Sequence, residues 1–160
     1  GSEAARRGLA ERLLAAMKAA AIETRLEPLR TLDWRTVPVH LPRRRPEKEI
    51  EPSASGETRY RIACWHATAR RKEPFHITAV TIGPARILHL PGEPLLEFQE
   101  YAQSLFPQRM IAVAGYGDIA PGYICPDRAF DEGGYEPGAS WVGRGAEPVL
   151  KQAIRQALGG

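Results

Sequence analysis

A glutamate closes the Pro91-Gly92-Glu93 turn within HLPGEPLLEFQEYAQSLFP, residues 89–107. A glycine- and tyrosine-rich run, GYGDIAPGYICPDRAFDEGGYEPGAS, follows at residues 115–140. A carboxylate in such a turn can bind a metal ion, or it can cap the helix that follows it. Tyr123 can be a half-buried aromatic with its hydroxyl on a carbonyl. His89, four residues before Glu93, reads as a strand histidine satisfied by its neighbours. Asp118 either orients a ligand or caps a turn, and Tyr135-Glu136 locks its loop. Gly92 and Gly122 let backbone come close to a bound group. Cys125 has no base at a recognisable spacing and is not read as a nucleophile.

The elements around these residues decide whether they meet. Residues 85–92 and 109–117 are rich in strand formers, and 93–106 between them has helical spacing through Leu95, Phe98, Ala102 and Leu105. Strand–helix–strand order predicts a crossover between parallel neighbours. Ligands at such sheets bind beyond the carboxyl ends of the strands. Glu93 follows one strand end, and Tyr116, Asp118 and Tyr123 follow the other. RMIAVAGYG, 109–117, is a continuous apolar run of the kind that fills a sheet centre.

The remaining elements complete an α/β or α+β layer, a mixed sheet of four or five strands with helices packed on it, in a single domain. Residues 3–22 read as a helix with Leu9, Leu13 and Met17 on a core-facing stripe. Residues 31–42 read as an edge strand, because Pro38 cannot donate to a ladder. Residues 43–57 are charged, Pro-bearing and aperiodic, a mobile linker. Residues 58–73 place Ile62, Trp65 and Ala69 at helical steps, with Ser55 as a cap. Gly83-Pro84 between 75–83 and 85–92 signals a hairpin. Pro126 and the pair Gly133-Gly134 bracket a short helical turn. Leu150, Ile154 and Leu158 give the last helix its apolar face. The organisation expected is a cloning scar at 1–2, helix and edge strand at 3–42, linker at 43–57, and core at 58–160.

Bulk properties narrow the field. The chain has 160 residues, 43% hydrophobic and 26% charged, with a formal net charge of +3. That charge is too small to imply nucleic acid. The runs Arg43-Arg44-Arg45 and Arg70-Arg71-Lys72 read as solvated surface or linker charges. No transmembrane stretch is present. Cys64 and Cys125 form no disulfide framework and are expected to be reduced.

LPGEP at 90–94, with GYICPDRAFDEGGYEPGAS at 122–140, resembles the C-terminal part of the catalytic region of neutral/alkaline ceramidase-like proteins. The resemblance spans about residues 75–158 and is nearest the uncharacterised bacterial branch. Those proteins are zinc-dependent amidohydrolases, and the ceramidases proper cleave the N-acyl amide of ceramide. The resemblance implies that Glu93 and Tyr123 approach a zinc ion. It also implies that Gly92, His89, Tyr116, Asp118, Gly122 and Tyr135 line a pocket or its loops. The family's other zinc ligands are histidines in an upstream segment, and its active-site serine belongs there too. His40, His66, His76 and His89 do not form those histidine motifs. A missing N-terminal catalytic segment, in cis or as a separate chain, is therefore the expected partner, and a lipid amide is the substrate implied. Family resemblance points to a secreted or periplasmic parent. Two other readings stand beside this one: a non-catalytic binding or interaction domain, and a self-contained hydrolase built on His89, Glu93 and Tyr123.

Overall fold

The computed structural model describes residues 2–44, 73–117 and 121–159. The expected helix at 58–73, the charge run Arg70-Arg71-Lys72, most of the linker at 43–57, Cys64 and Asp118 lie outside the described residues. The chain divides into two units, Gly1–Arg30 and Thr31–Gly160. The division falls before the first strand, so that strand belongs with the sheet rather than with the helix that precedes it.

The first unit is α1 (Glu3–Glu23), where Ala, Leu, Glu, Arg and Lys dominate. Ser2 caps it by accepting the Ala5 amide at 3.2 Å. The apolar stripe is not core-facing as its spacing suggested. No residue of α1 is buried, and Leu9, Leu13 and Met17 are each about 60% exposed.

The second unit holds a four-stranded mixed sheet in the order β1-β2-β3-β5. β1 (Leu32–Val39) pairs antiparallel with β2 (Phe75–Ile82), which pairs antiparallel with β3 (Ala85–Pro91). β1 is an edge, as Pro38 required: only Val39 in it is buried. The β2–β3 hairpin turns at Gly83, whose φ of 56° suits a glycine. β4 (Glu93–Pro94) and α2 (Leu96–Ser104) lead to β5 (Ile111–Gly117), which runs parallel to β3. β5 was expected at the sheet centre. Among the described residues it pairs only with β3 and stands at the other edge, with only Ile111 fully buried. A continuous apolar run fits a half-covered edge as well as a centre, because Ala and Gly give little area to hide.

β6 (Tyr123–Ile124), α3 (Ala129–Glu132), α4 (Tyr135–Ala139) and α5 (Ala146–Ala157) complete the chain. α5 packs on β1 and β2, and α2 packs on β5 and α5. Strand alternation sends Phe75, Ile77, Leu88 and Leu90 toward those helices. There they join Phe98 of α2 and Leu150, Ile154 and Leu158 of α5 in one core. Burying a leucine or isoleucine of this kind contributes about 1.5–3 kcal/mol. The last turn of α5 leaves carbonyls without helical partners. Arg35 donates to the Gln156 carbonyl at 3.1 Å, and Arg86 donates to the Leu158 carbonyl. Both cations also oppose the negative end of the helix dipole.

Candidate functional site

The site is built where the chain leaves β3. Pro91 ends the strand, Gly92 turns at φ 63°, and Glu93 opens β4. A Cβ on Gly92 would stand 2.5 Å from the Gly122 carbonyl oxygen and 2.8 Å from the Pro121 ring. The two glycine turns therefore pack backbone on backbone, and only glycine fits. Gly122 turns at φ 74° with the Trp141 ring beneath it.

This close approach lets β4 and β6 form a parallel ladder of two residues each. Glu93 pairs with Tyr123 and Pro94 with Ile124. The Glu93 amide donates to the Gly122 carbonyl at 2.9 Å, and the Leu95 amide to the Ile124 carbonyl at 3.0 Å. Directly paired residues on neighbouring strands point to the same face, about 4.8 Å apart at the backbone. The carboxylate and the phenol consequently emerge side by side.

Tyr116 joins them. Its amide donates to the Gly92 carbonyl at 2.5 Å, and its φ is 60°. A hydrogen bond to the nearby Glu93 carboxylate raises the Tyr116 phenol pKa above its ordinary value. Losing that bond on ionisation is the largest cause. The nearby negative charge also acts in the same direction. On the other side of Tyr123, the Tyr135 ring meets it edge-on, with centroids 5.9 Å apart and planes at 79°. Tyr135 opens α4 and is largely exposed.

Ser140 holds Tyr123 from below. It is the buried polar side chain of the core, and its hydroxyl reaches the Tyr123 carbonyl at 2.8 Å and the Val142 carbonyl at 2.9 Å. It also accepts the Val142 amide at 3.2 Å. Arg44 braces the same loop, donating to the carbonyls of Pro137, Gly138 and Ser140 at 2.7–3.1 Å. Arg44 was read as a solvated charge. It is instead half-buried and structural, and its neighbour Arg43 bridges Val142. Neither Arg44 nor Ser140 could be found from the sequence, since no local pattern links residue 44 to residue 140.

The sequence-derived residues thus divide. Glu93, Tyr123, Gly92, Gly122, Tyr116 and Tyr135 come together. His89 sits in β3, paired with Thr78 and Ala114, and is exposed on the face away from Leu88 and Leu90. Glu93 does not cap α2: the N-cap is Leu95, and no side chain bonds there. Cys125 is buried, and burial pushes its thiol up to about 11, so the thiolate is scarce at neutral pH. Among the described residues no group of three or more His, Cys, Asp and Glu side chains is placed to hold a metal ion. Glu93 and the two phenols are oxygen donors, whereas zinc sites normally include nitrogen or sulfur. The described residues therefore fit part of a zinc site and not a whole one.

No protein-family model matches the sequence, and no curated protein matches it. The crystal structure of neutral ceramidase from Pseudomonas aeruginosa is similar over 86% of this chain and 30% of its own, with 15% identity and a TM-score of 0.54. A structure of ceramidase complexed with C2 is similar over 52% of this chain and 15% of its own, at 18% identity and a TM-score of 0.45, too slight to carry an argument. The chain spans less than a third of the ceramidase chain that it resembles over most of its own length. The likeness is one of fold, and the fold is that of a ceramidase-like region.

Proposed function

We propose that this chain is the C-terminal portion of a ceramidase-like, zinc-dependent amidohydrolase that acts on an N-acyl amide. Glu93 and Tyr123 would supply two of its ligands, and histidines from a segment outside this sequence would supply the rest. The observation that carries this reading is the direct pairing of Glu93 with Tyr123 across β4 and β6. It joins a carboxylate and a phenol that stand thirty residues apart at the mouth of a parallel strand pair. The likeness to part of neutral ceramidase, at 30% of that chain, supports a shared rather than a self-contained site.

A zinc ion there would act as a Lewis acid toward an amide carbonyl. The chain's own residues do the rest of the work described here. The Glu93 carboxylate supplies negative charge. Gly92 and Gly122 keep Cβ atoms out of the approach. Tyr123 and Tyr135 present aromatic surface beside the carboxylate. With only oxygen donors in place, the chain alone binds zinc weakly and hydrolyses no N-acyl amide.

The test is a zinc titration of the purified chain followed by NMR, with an N-acyl sphingosine hydrolysis assay alongside. Weak, saturable shifts centred on Glu93 and Tyr123, lost in Glu93→Ala, and no hydrolysis are expected. Absence of any shift there would favour a non-catalytic binding or interaction domain. Tight stoichiometric binding with hydrolysis would favour a self-contained enzyme.

A further inference from the structure

We propose that the outer edge of β5 is a docking surface for a second copy of this chain, joined edge to edge in an antiparallel, two-fold pair. The pairing is independent of the reading of Glu93 as a metal ligand.

The backbone leaves this edge open. The Arg86 amide donates to the Met110 carbonyl at 2.9 Å, and Arg86 stands opposite Ile111. That phase turns the backbone groups of Ala112 and Ala114 toward β3, and those of Ile111, Val113 and Gly115 outward. Gln103 of α2 donates to the Ile111 carbonyl at 3.2 Å, as an outward-facing group requires. Among the described residues, the backbone groups of Val113 and Gly115 meet no partner on that side.

Sheet edges are ordinarily blunted by charge, by proline or by a cover, because an open edge templates pairing. The opposite edge is blunted, since β1 carries Asp33, Arg35 and Pro38. β5 carries no charge and no proline. The register slip between His89 and Pro91 disturbs only its last residues.

The sequence selects the occupant, because residues 110–116 are nearly symmetric about Val113. A two-fold axis there sets Val113 opposite its own copy, Ala112 opposite Ala114, and Ile111 opposite Gly115. Antiparallel strands exchange bonds at alternate residues, so Ile111, Val113 and Gly115 all find partners. The same axis brings Met110 of one copy beside Tyr116 of the other. Both are 69% exposed, and a thioether beside an aromatic ring is a favourable contact. Such a contact closes at two copies and leaves the blunted β1 edges outermost.

The experiment is sedimentation velocity of the chain from about 5 to about 500 μM, with amide hydrogen exchange at both ends of that range. Wild type should pass from monomer to dimer with a dissociation constant on the order of 100 μM, the weak end for a small interface. At high concentration the Val113 and Gly115 amides should exchange about threefold more slowly or better, and the α1 amides should not change. Gly115→Pro removes an outward amide and no bond to β3. A Cβ there makes only ordinary contacts at 3.5 Å, so the variant should fold and dimerise about tenfold more weakly. Met110→Lys adds a charge at the exposed edge and should weaken the dimer similarly. Melting midpoints establish that each variant is folded, and Met110→Lys decides if Gly115→Pro is not. A wild type that stays monomeric overturns the proposal, as does a dimer undiminished in Met110→Lys. Association that protects α1 instead of Val113 also overturns it. So does slow Val113 exchange in the dilute monomer, which would mean that the chain covers its own edge.

Discussion

Glu93 and Tyr123 are direct partners in a parallel ladder only two residues long, with the Glu93 amide bonded to the carbonyl just before Tyr123. Two rungs cannot hold a strand pair alone. What keeps them together is the packing of the Gly92 turn on the Gly122 turn and the bond from buried Ser140.

Gly92→Ala should therefore be among the costlier single changes in the chain. A Cβ there meets the Gly122 oxygen at 2.5 Å, and the positive φ adds strain. A left-handed non-glycine alone costs about 1–2 kcal/mol, so the total should exceed about 2 kcal/mol. Gly145→Ala has a left-handed φ of 86° but open space around it, and should cost only about 1 kcal/mol. Urea denaturation of both variants checks the difference.

Ser140→Ala leaves the buried Val142 amide without its acceptor and frees the Tyr123 carbonyl. An unsatisfied buried group costs about 1–3 kcal/mol. The loss should be local as well as global. Hydrogen exchange at Leu95, whose amide bonds the Ile124 carbonyl in the same ladder, should speed up more than exchange in the β2–β3 hairpin.

Acid should loosen the start of α5. Glu147 accepts the Asp127 amide at 2.8 Å and pairs with Lys151, while Asp127 accepts the Gly145 amide at 2.8 Å. The Lys151 bond first, then the Asp127 amide, hold the Glu147 carboxyl below its ordinary value. A depressed carboxyl stabilises the fold above its unfolded value, about 4.3, and that contribution fades as pH falls through the lower folded value. Glu147→Gln should flatten the acid limb of the stability–pH curve and cost roughly 0.5–1 kcal/mol at neutral pH. Thermal melts from pH 7 to pH 2 test both.

The sheet and last helix were legible because their signals are long and redundant. Gly83-Pro84 announces the hairpin, and Leu150, Ile154 and Leu158 keep one face through three turns of α5. β4 and β6 were not legible. Two residues carry no period, so Glu93 read equally well as a cap for α2, and only the fold places it opposite Tyr123. α4 was missed because Pro137 and Gly138 sit inside it. The stripe on α1 was legible as helix, but spacing cannot say whether a partner covers it. Gly92 and Gly122 were recognisable as close-approach positions. That they approach each other follows from the parallel β3–β5 crossover, which the strand–helix–strand order did foretell.

The account stands or falls on whether Glu93 and Tyr123 hold the same ion. Crystals of the chain soaked in millimolar zinc, with diffraction recorded on both sides of the zinc edge, measure this directly. The account predicts an anomalous peak about 2.0–2.2 Å from a Glu93 carboxylate oxygen, on the side facing the Tyr123 hydroxyl. Zinc bound only at exposed histidines such as His76 or His89, with none beside Glu93, would contradict it.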